Sequence, residues 1–336
     1  NSVLFIFVFV SSTTKILIIR FSSIGDIVLT TPVIRCLKNQ FKGDVELHYL
    51  TKEHYKVILE NNPYLNGVHT IKKSTNEIIN TLKALKFDYV IDLHKNLRSK
   101  RIIKNLKCVA FSFNKLNYEK WLFTTFKINK LPKVHIVDRY LDAVKALGVR
   151  NDGEGLDYFL PANIADEISL PNNFTNGYVA LVLGANHFTK KIPFHKLEEL
   201  VQKIKLPIIL IGGKENFEQG EELKKINTEN IYNSCGKMSL NQSAYLIKEA
   251  NTIITPDTGM MHIAAAFKKK IISIWGNTVP EFGMYPYLPD KASEILEIKK
   301  LKCRPCSKLG HNKCPKKHFK LNSRKYFYEK RNSSRI

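Results

Sequence analysis

The residues with the clearest chemical potential lie in the segment ITPDTGMMHIAAA, residues 254–266. An apolar strand pattern reaches Asp257, and Thr258 and Gly259 then lead into a helix of small residues that carries His262. A strand, a polar turn and a helix together point unpaired backbone N–H groups and a positive helix end toward an anion. The segment therefore predicts a phosphate-binding turn. The alternative interpretation is that Asp257 or Thr258 only caps the helix.

Two further polar turns occupy the same position between an apolar strand and a helix. One contains Ser23, Gly25 and Asp26, and the other, residues 186–190, ends at Lys190. Open α/β sheets bind ligands at the carboxyl ends of their strands, where such turns lie. A carboxylate opposite a lysine and a helix N-terminus suits group transfer, because the acid accepts a proton while the cation holds a departing phosphate. For Asp26 a helix cap is the alternative interpretation.

The chain has 336 residues, which is enough for two domains, and 44% hydrophobic with 25% charged residues is ordinary for a globular protein. Its net charge of +23 is not ordinary. Residues 95–133 carry +10 and residues 301–336 carry +11, so two short zones hold almost all of the excess. Such zones indicate an acidic partner, either nucleic acid, an anionic membrane surface or an acidic substrate.

The hydrophobic pattern alternates between strands and helices in two successive series. The first begins with a buried strand at residues 15–21 and a helix from about residue 27 to 39, and the second restarts with a strand at residues 178–185. Residues 148–171 are rich in turn residues and predict a linker, and the strand at residues 271–276 is predicted to close the second sheet. We therefore expect an α/β protein with two parallel-sheet domains that face each other across a cleft. The glycine fingerprint of dinucleotide-binding domains is absent after the first strand.

Cysteine and histidine spacing near the C-terminus raises an alternative. Cys303, Cys306, His311 and Cys314 have a spacing similar to zinc ligands, and the flanking residues are basic. A nucleic-acid-binding protein with a zinc-knuckle-like tail is therefore a competing hypothesis. Structural thiols are the favoured interpretation, because the aromatic platform typical of such modules is not evident.

Four segments, in order, resemble glycosyltransferase family 9, which contains the lipopolysaccharide heptosyltransferases. They are RFSSIGDIVLTTPVIRCLK, TKKIPFHKLEEL, LIGGKE and PDTGMMHIAAA. The resemblance implies a GT-B fold with two Rossmann-like domains, an ADP-sugar donor such as ADP-heptose, and inversion at the anomeric carbon without a metal or other cofactor. It further implies an N-terminal acceptor-binding domain at residues 15–155 and a C-terminal nucleotide-sugar-binding domain at residues 170–320.

The same resemblance assigns roles to individual residues. Asp26 matches the proposed general base of the family. The predicted donor-binding residues are Ser23, Gly25, Lys190, Glu215, Asp257, Thr258, Gly259 and His262. The predicted acceptor-binding residues are Arg98, His135 and Arg139, of which the last two are four residues apart and therefore predicted to share a helical face.

The chain ends are interpreted separately. Residues 1–14 are treated as an extension whose origin the sequence leaves open, and the apolar start is far shorter than a membrane span. Residues 321–336 form a basic tail that departs from the family pattern, as a truncation or a frameshift would produce.

The predicted function is transfer of heptose, or a related sugar, to the inner core of lipopolysaccharide by a cytoplasmic enzyme, peripheral on the anionic inner membrane. Besides the nucleic-acid-binding hypothesis, another GT-B sugar-nucleotide enzyme such as an epimerase is the alternative. The sequence does not select the sugar or the acceptor hydroxyl.

Overall fold

A computed structural model describes residues 13–299 and 301–316 of the chain. Residues 1–12 of the predicted extension and the predicted basic tail, residues 321–336, lie outside the described residues. Thr13 and Thr14, the last two residues of that extension, are described, and Thr14 begins the first strand. No helix within the described residues is both long and apolar enough to cross a membrane.

The first sheet has five parallel strands, in the order β3-β2-β1-β4-β5. The strands are β1 (Thr14–Ile19), β2 (Val45–Lys52), β3 (Gly67–Ile71), β4 (Tyr89–Asp92) and β5 (Val109–Ser112). The helices of this part of the chain are α1 (Ile24–Val28), α2 (Thr31–Gln40), α3 (Asn76–Ala84), α4 (Leu97–Leu106), α5 (Asn117–Phe126) and α6 (Ile136–Asp142). The central strand β1 is continuously apolar from Ile16 to Ile19 because both of its faces are covered, and all four side chains are fully buried.

The second sheet has six parallel strands, in the order β11-β10-β9-β6-β7-β8. Its strands are β6 (Val179–Val182), β7 (Ile208–Ile211), β8 (Ile231–Asn233), β9 (Thr252–Pro256), β10 (Lys270–Trp275) and β11 (Glu294–Glu297). Its helices are α7 (Phe194–Val201), α8 (Phe217–Lys224), α9 (Leu240–Glu249) and α10 (Gly259–Ala266). Two parallel sheets with intervening helices confirm the predicted α/β class.

Three local predictions require correction. The strand at residues 271–276 does not close the second sheet, because β11 pairs in parallel with β10 and forms the edge. The short strand β8 escaped prediction, since its three residues are too few to show a periodicity. The helix expected from residue 27 to 39 is two helices, because the Thr30 and Thr31 hydroxyls bond back to the carbonyls of Ile27 and Val28 and Pro32 has no N–H.

The chain divides into two compact units, each assembled from separate segments. The first comprises Pro32–Phe113, Arg139–Asp152 and the described residues up to Ser22. The second comprises Ser23–Thr31, Asn114–Asp138 and the described residues from Gly153 onward. Helix α1, although it follows the first strand of the first sheet, therefore belongs to the unit that holds the second sheet. The functional division into residues 15–155 and 170–320 stays a prediction.

Helix α1 packs against α10 through two glycines. A Cβ atom added at Gly25 would lie 2.5 Å from Cδ2 of His262 and 3.2 Å from Cα of Gly259. A Cβ atom added at Gly259 would lie 2.9 Å from side-chain carbons of Ile24. Neither position has room for a methyl group, so the approach of the two helices requires glycine on both.

A buried arginine holds the loop that follows β10. The Arg304 guanidinium donates to the carbonyls of Gly276 and Thr278 at 2.6–3.0 Å and to that of Ile298. It also forms an ion pair with Glu297, with 2.7 Å between Nη1 and Oε2, and both side chains are largely buried. A planar guanidinium bonds several acceptors at fixed angles, which an ammonium group cannot do. Arg304 thus joins the segment after residue 300 to the loop of residues 276–278.

Arg304→Lys should lower the free energy of unfolding by about 2–4 kcal/mol, since lysine leaves several buried carbonyls and Glu297 without their donors. Urea denaturation of purified protein measures the change. Lys302→Ala, at an exposed neighbouring position, is the control and should leave the midpoint unchanged. Equal midpoints for Arg304→Lys and the parent chain would contradict the assigned role.

Candidate active site

The turn after β9 carries a partly buried ion pair. Lys190 Nζ lies 2.6 Å from Oδ2 of Asp257, and the hydroxyl of Thr278 donates to the same oxygen at 2.7 Å. Lys190 ends a short 3-10 turn after β6, and β6 is the neighbour of β9 in the sheet. The two predicted residues are therefore brought together by adjacent strands. Asp257 is not the cap of α10, because its carboxylate is held by a lysine and a threonine and the N-cap position belongs to Thr258.

Helix α10 begins directly after this ion pair. Thr258 is its N-cap residue, and its side chain makes no capping bond to the helix. The Thr258 hydroxyl lies 3.3 Å from the hydroxyl of Thr255. The cap side chain therefore leaves the first N–H groups of α10 unengaged. The ammonium of Lys190 is bonded to Asp257, two residues before the helix begins. A positive helix end beside a cation is suited to hold a phosphate.

Asp26 lies in the first turn of α1 and is half-buried. Its carboxylate accepts bonds from the backbone N–H and the hydroxyl of Ser23, at 3.1 and 2.8 Å. Ser23 therefore orients Asp26, which is a different role from the direct donor contact predicted for it; that contact stays a prediction. The glycine contact between α1 and α10 places Asp26 in the same unit as Asp257 and Lys190.

His262 is buried and feels the charges of both Asp257 and Asp26. Burial lowers the pKa of its imidazole to about 4, although the charges of Asp257 and Asp26 act in the opposite direction and Lys190 adds to the lowering. At neutral pH His262 is therefore uncharged. Its Nδ1 atom has no hydrogen-bond partner among the described residues. Because its ring abuts Gly25, the side chain acts as a neutral spacer between α10 and α1.

Glu215 lies in the turn after β7, where its exposed carboxylate folds over Gly213. Its predicted contact with the donor stays a prediction. The following residue, Asn216, is buried, and neither atom of its side-chain amide has a partner among the described residues. A Cβ atom added at Gly184 or at Gly212 would lie 3.0 or 2.9 Å from the amide oxygen, which therefore packs against the carboxyl ends of β6 and β7.

The three predicted acceptor residues are in different environments. Arg98 is exposed in the first turn of α4. His135 precedes α6 rather than lying in it, and its imidazole is buried, with Nε2 2.9 Å from the Tyr285 carbonyl and Nδ1 accepting from the N–H of Val137. Arg139 lies within α6 and is buried. The expected shared helical face is wrong because the helix begins at Ile136, and contact with an acceptor stays a prediction for all three.

The cysteine-rich segment packs against the loop that carries Lys190. The backbone of His311 exchanges bonds with Thr189, and the N–H of Cys306 donates to the carbonyl of Asn277. Burial, followed by the neighbouring thiols of Cys303 and Cys314, raises the pKa of Cys306 to about 11. Within residues 13–299 and 301–316, no group of three or more His, Cys, Asp or Glu side chains is placed to hold a metal ion.

Sequence reasoning missed three residues of this region: Thr278, Arg304 and Asn216. Thr278 follows a strand, a glycine and an asparagine, so the strand-then-polar-turn pattern used for the other turns could have found it. Arg304 was counted among the residues of a basic zone, and composition alone cannot distinguish a buried arginine from an exposed one. Asn216 carries no spacing signal.

Comparison with known proteins identifies the family. The sequence model of glycosyltransferase family 9 (heptosyltransferase) matches residues 76–315. Lipopolysaccharide heptosyltransferase 1 of Campylobacter coli is 27% identical over 292 residues, covering 79% of this chain and 84% of that protein.

Solved structures show the same fold. The E. coli ADP-heptose lps heptosyltransferase II superposes with a TM-score of 0.67 at 18% identity, covering 92% of this chain and 97% of that one. An E. coli heptosyltransferase solved with ADP gives a TM-score of 0.66 at 20% identity, covering 84% and 92%. At these identities the likeness concerns the fold, which is GT-B. Because the family match covers well over half of its length, this chain belongs to glycosyltransferase family 9 (heptosyltransferase) and is a glycosyltransferase.

Proposed function

We propose that this enzyme transfers heptose, or a closely related sugar, from an ADP-sugar to the inner core of lipopolysaccharide, with inversion at the anomeric carbon and without a metal ion. The observation that carries the proposal is the arrangement of Lys190, Asp257 and the start of α10 beside the helix that holds Asp26. It combines a cationic site for a leaving phosphate with a carboxylate that can accept a proton.

The chemistry follows from these groups. Asp26, oriented by Ser23, takes the proton of the acceptor hydroxyl as its oxygen forms a bond to the anomeric carbon. The bond from that carbon to the diphosphate breaks, and the negative charge develops on the departing ADP. Lys190 and the first N–H groups of α10 stabilise that charge. Attack opposite the leaving group inverts the anomeric centre, and no covalent intermediate with the enzyme is needed.

Two observations support an ADP-sugar as the donor. An E. coli heptosyltransferase of the same fold was solved with ADP, and the curated relatives are lipopolysaccharide or lipooligosaccharide heptosyltransferases. The ammonium of Lys190 and the N–H groups at the start of α10 are donors of the kind that a diphosphate requires. Glu215 and Gly213, at the carboxyl edge of β7, are proposed to lie near the nucleoside ribose.

The acceptor is proposed to be the anionic lipopolysaccharide inner core, bound with help from Arg98, His135 and Arg139. The net charge of +10 over residues 95–133 suits its phosphates and carboxylates. We further place the enzyme in the cytoplasm, peripheral on the inner membrane. Family membership favours sugar transfer over nucleic-acid binding or epimerisation.

A panel of nucleotide sugars tests the donor. We expect nucleotide release from ADP-heptose in the presence of a heptose-free core acceptor, and release at least about tenfold slower from UDP- or GDP-hexoses, since a pocket that bonds specific hydroxyls rejects analogues lacking them. Equal rates with all donors, or conversion of the sugar nucleotide without transfer, would refute the proposal.

Asp26→Asn should lower kcat by about 10²–10⁴, because the amide keeps the size of the side chain and cannot accept the proton. Calorimetric affinity for ADP should stay within about twofold of the parent value. Asp44→Asn, at an exposed turn of the other unit, is the matched control and should keep full activity. Undiminished turnover in Asp26→Asn would remove Asp26 from the mechanism.

Lys190→Ala should weaken ADP binding by about 10–100-fold and slow transfer, because a charge-assisted bond to phosphate is worth about 1.5–3 kcal/mol. Lys191→Ala changes the next residue, which is not part of the Asp257 pair, and serves as the control. The melting temperature should be recorded for both variants. The assignment fails if Lys190→Ala binds ADP as tightly as the control.

A further inference from the structure

Helix α5 presents aromatic side chains to solvent rather than to a core. None of its ten residues is buried, although five of them are apolar or aromatic. Tyr118, Trp121 and Phe126 are 65%, 46% and 56% exposed. Their rings contact one another, with centroids 6.0 Å apart for Tyr118 and Trp121 and 5.2 Å apart for Trp121 and Phe126. These rings form one continuous apolar cluster on the surface.

The opposite side of α5 attaches the helix to its own unit. The ring of Phe123 contacts that of buried Phe282, with centroids 6.0 Å apart. Lys308 Nζ donates to the carbonyl of Asn117, which brings the exposed Leu309 close to the start of the helix. Helix α5 is therefore anchored through one face, and the aromatic cluster is the face left outward.

The stretch of sequence that carries the cluster is positively charged. Residues 114–134 contain five lysines and a single acid, Glu119, for a net charge of +4. Exposed Ile128 and Val134 lie in the same segment as exposed Lys130 and Lys133. We call α5 together with residues 127–134 the α5 surface. Aromatic and aliphatic side chains interleaved with lysines are typical of segments that lie in the interface between lipid headgroups and acyl chains.

We propose that the α5 surface docks the enzyme on an anionic lipid bilayer, with Trp121 and Phe126 inserted at the headgroup boundary and Lys130 and Lys133 on lipid phosphates. Charge complementarity selects the bilayer, since a surface that exposes Lys130 and Lys133 repels the same lysines of a second copy of itself. The inference rests on the proposed function in one respect: a lipid-linked acceptor gives the docking its use. No residue of the α5 surface belongs to the ion pair of Lys190 and Asp257.

Intrinsic fluorescence gives a direct measurement on the full chain. The sequence has two tryptophans, and Trp275 is 2% exposed, so a change in emission on adding vesicles reports Trp121. With vesicles containing about one third phosphatidylglycerol we expect a blue shift and quenching by lipids brominated on the acyl chain. Phosphatidylcholine vesicles should produce neither, because they lack the anionic headgroups that attract the lysines.

Sedimentation with the same vesicles tests the residues. Phe126→Glu should reduce the partition coefficient about tenfold or more, through loss of the buried ring. Lys130→Glu combined with Lys133→Glu should do the same through charge. Leu206→Glu and Lys248→Glu, at exposed positions elsewhere, are the matched controls and should bind like the parent chain.

Four outcomes would overturn the proposal. The first is no binding to anionic vesicles, and the second is an equal loss of vesicle binding in the test and control variants. The third is a Trp121 emission that is already blue-shifted without lipid, as cover by residues 317–336 would produce. The fourth is a dimer that Phe126→Glu abolishes, which would make the surface a contact between two copies of the chain. Transfer to a deacylated, soluble acceptor separates this inference from the proposed function. Phe126→Glu should leave that rate unchanged and slow transfer to a vesicle-embedded acceptor. Vesicle binding by a chain that transfers no sugar would support docking and refute the function.

Discussion

The close approach of two glycines is the constraint on which the candidate active site depends. Gly25 and Gly259 lie where α1 meets α10, and a methyl group on either would collide with the other helix. Because Asp26 follows Gly25 and the turn of Asp257 precedes Gly259, the missing side chains set the separation between the proposed base and the proposed phosphate-binding turn. His262 occupies the remaining space as an uncharged ring, which avoids the cost of burying a cation.

A chain of bonds then holds the cation. Lys190 is fixed by Asp257, Asp257 by Thr278, and the backbone of Thr278 by Arg304. A lysine that is already ordered loses less conformational entropy when a diphosphate binds. The segment after residue 300, with its cysteines, thus has a clear structural role: it supports the loop of residues 276–278 and, through Thr189, the turn that carries Lys190.

The strong positive charge serves different purposes at different places. Arg304 is buried and bonded, so its contribution is to the stability of one loop. Lys130 and Lys133, which follow α5, are exposed, and the exposed aromatic rings of α5 favour a lipid interface over general solubility as the role of their charge. Net charge alone cannot distinguish these cases, since only the surroundings of each cation decide whether it meets a carbonyl, a carboxylate or an external anion.

The sequence by itself determined the α/β class, most element boundaries to within a few residues, and the family. Buried parallel strands are continuous apolar runs, which was sufficient to predict β1 and β9. The turns that follow such strands carry the polar residues, which was sufficient to select Asp257 as a candidate site residue. Edge strands β8 and β11 escaped because short or half-exposed strands lack that signal.

Only the tertiary structure decided which distant residues meet. That Thr278 and Lys190 share the carboxylate of Asp257, and that Gly25 abuts His262, follows from strand order and helix crossing rather than from spacing. Burial of His135 and Arg304 was equally invisible, because a side chain's exposure depends on what packs over it. Local sequence specifies propensities, whereas contacts between segments over 200 residues apart arise only when the whole unit folds.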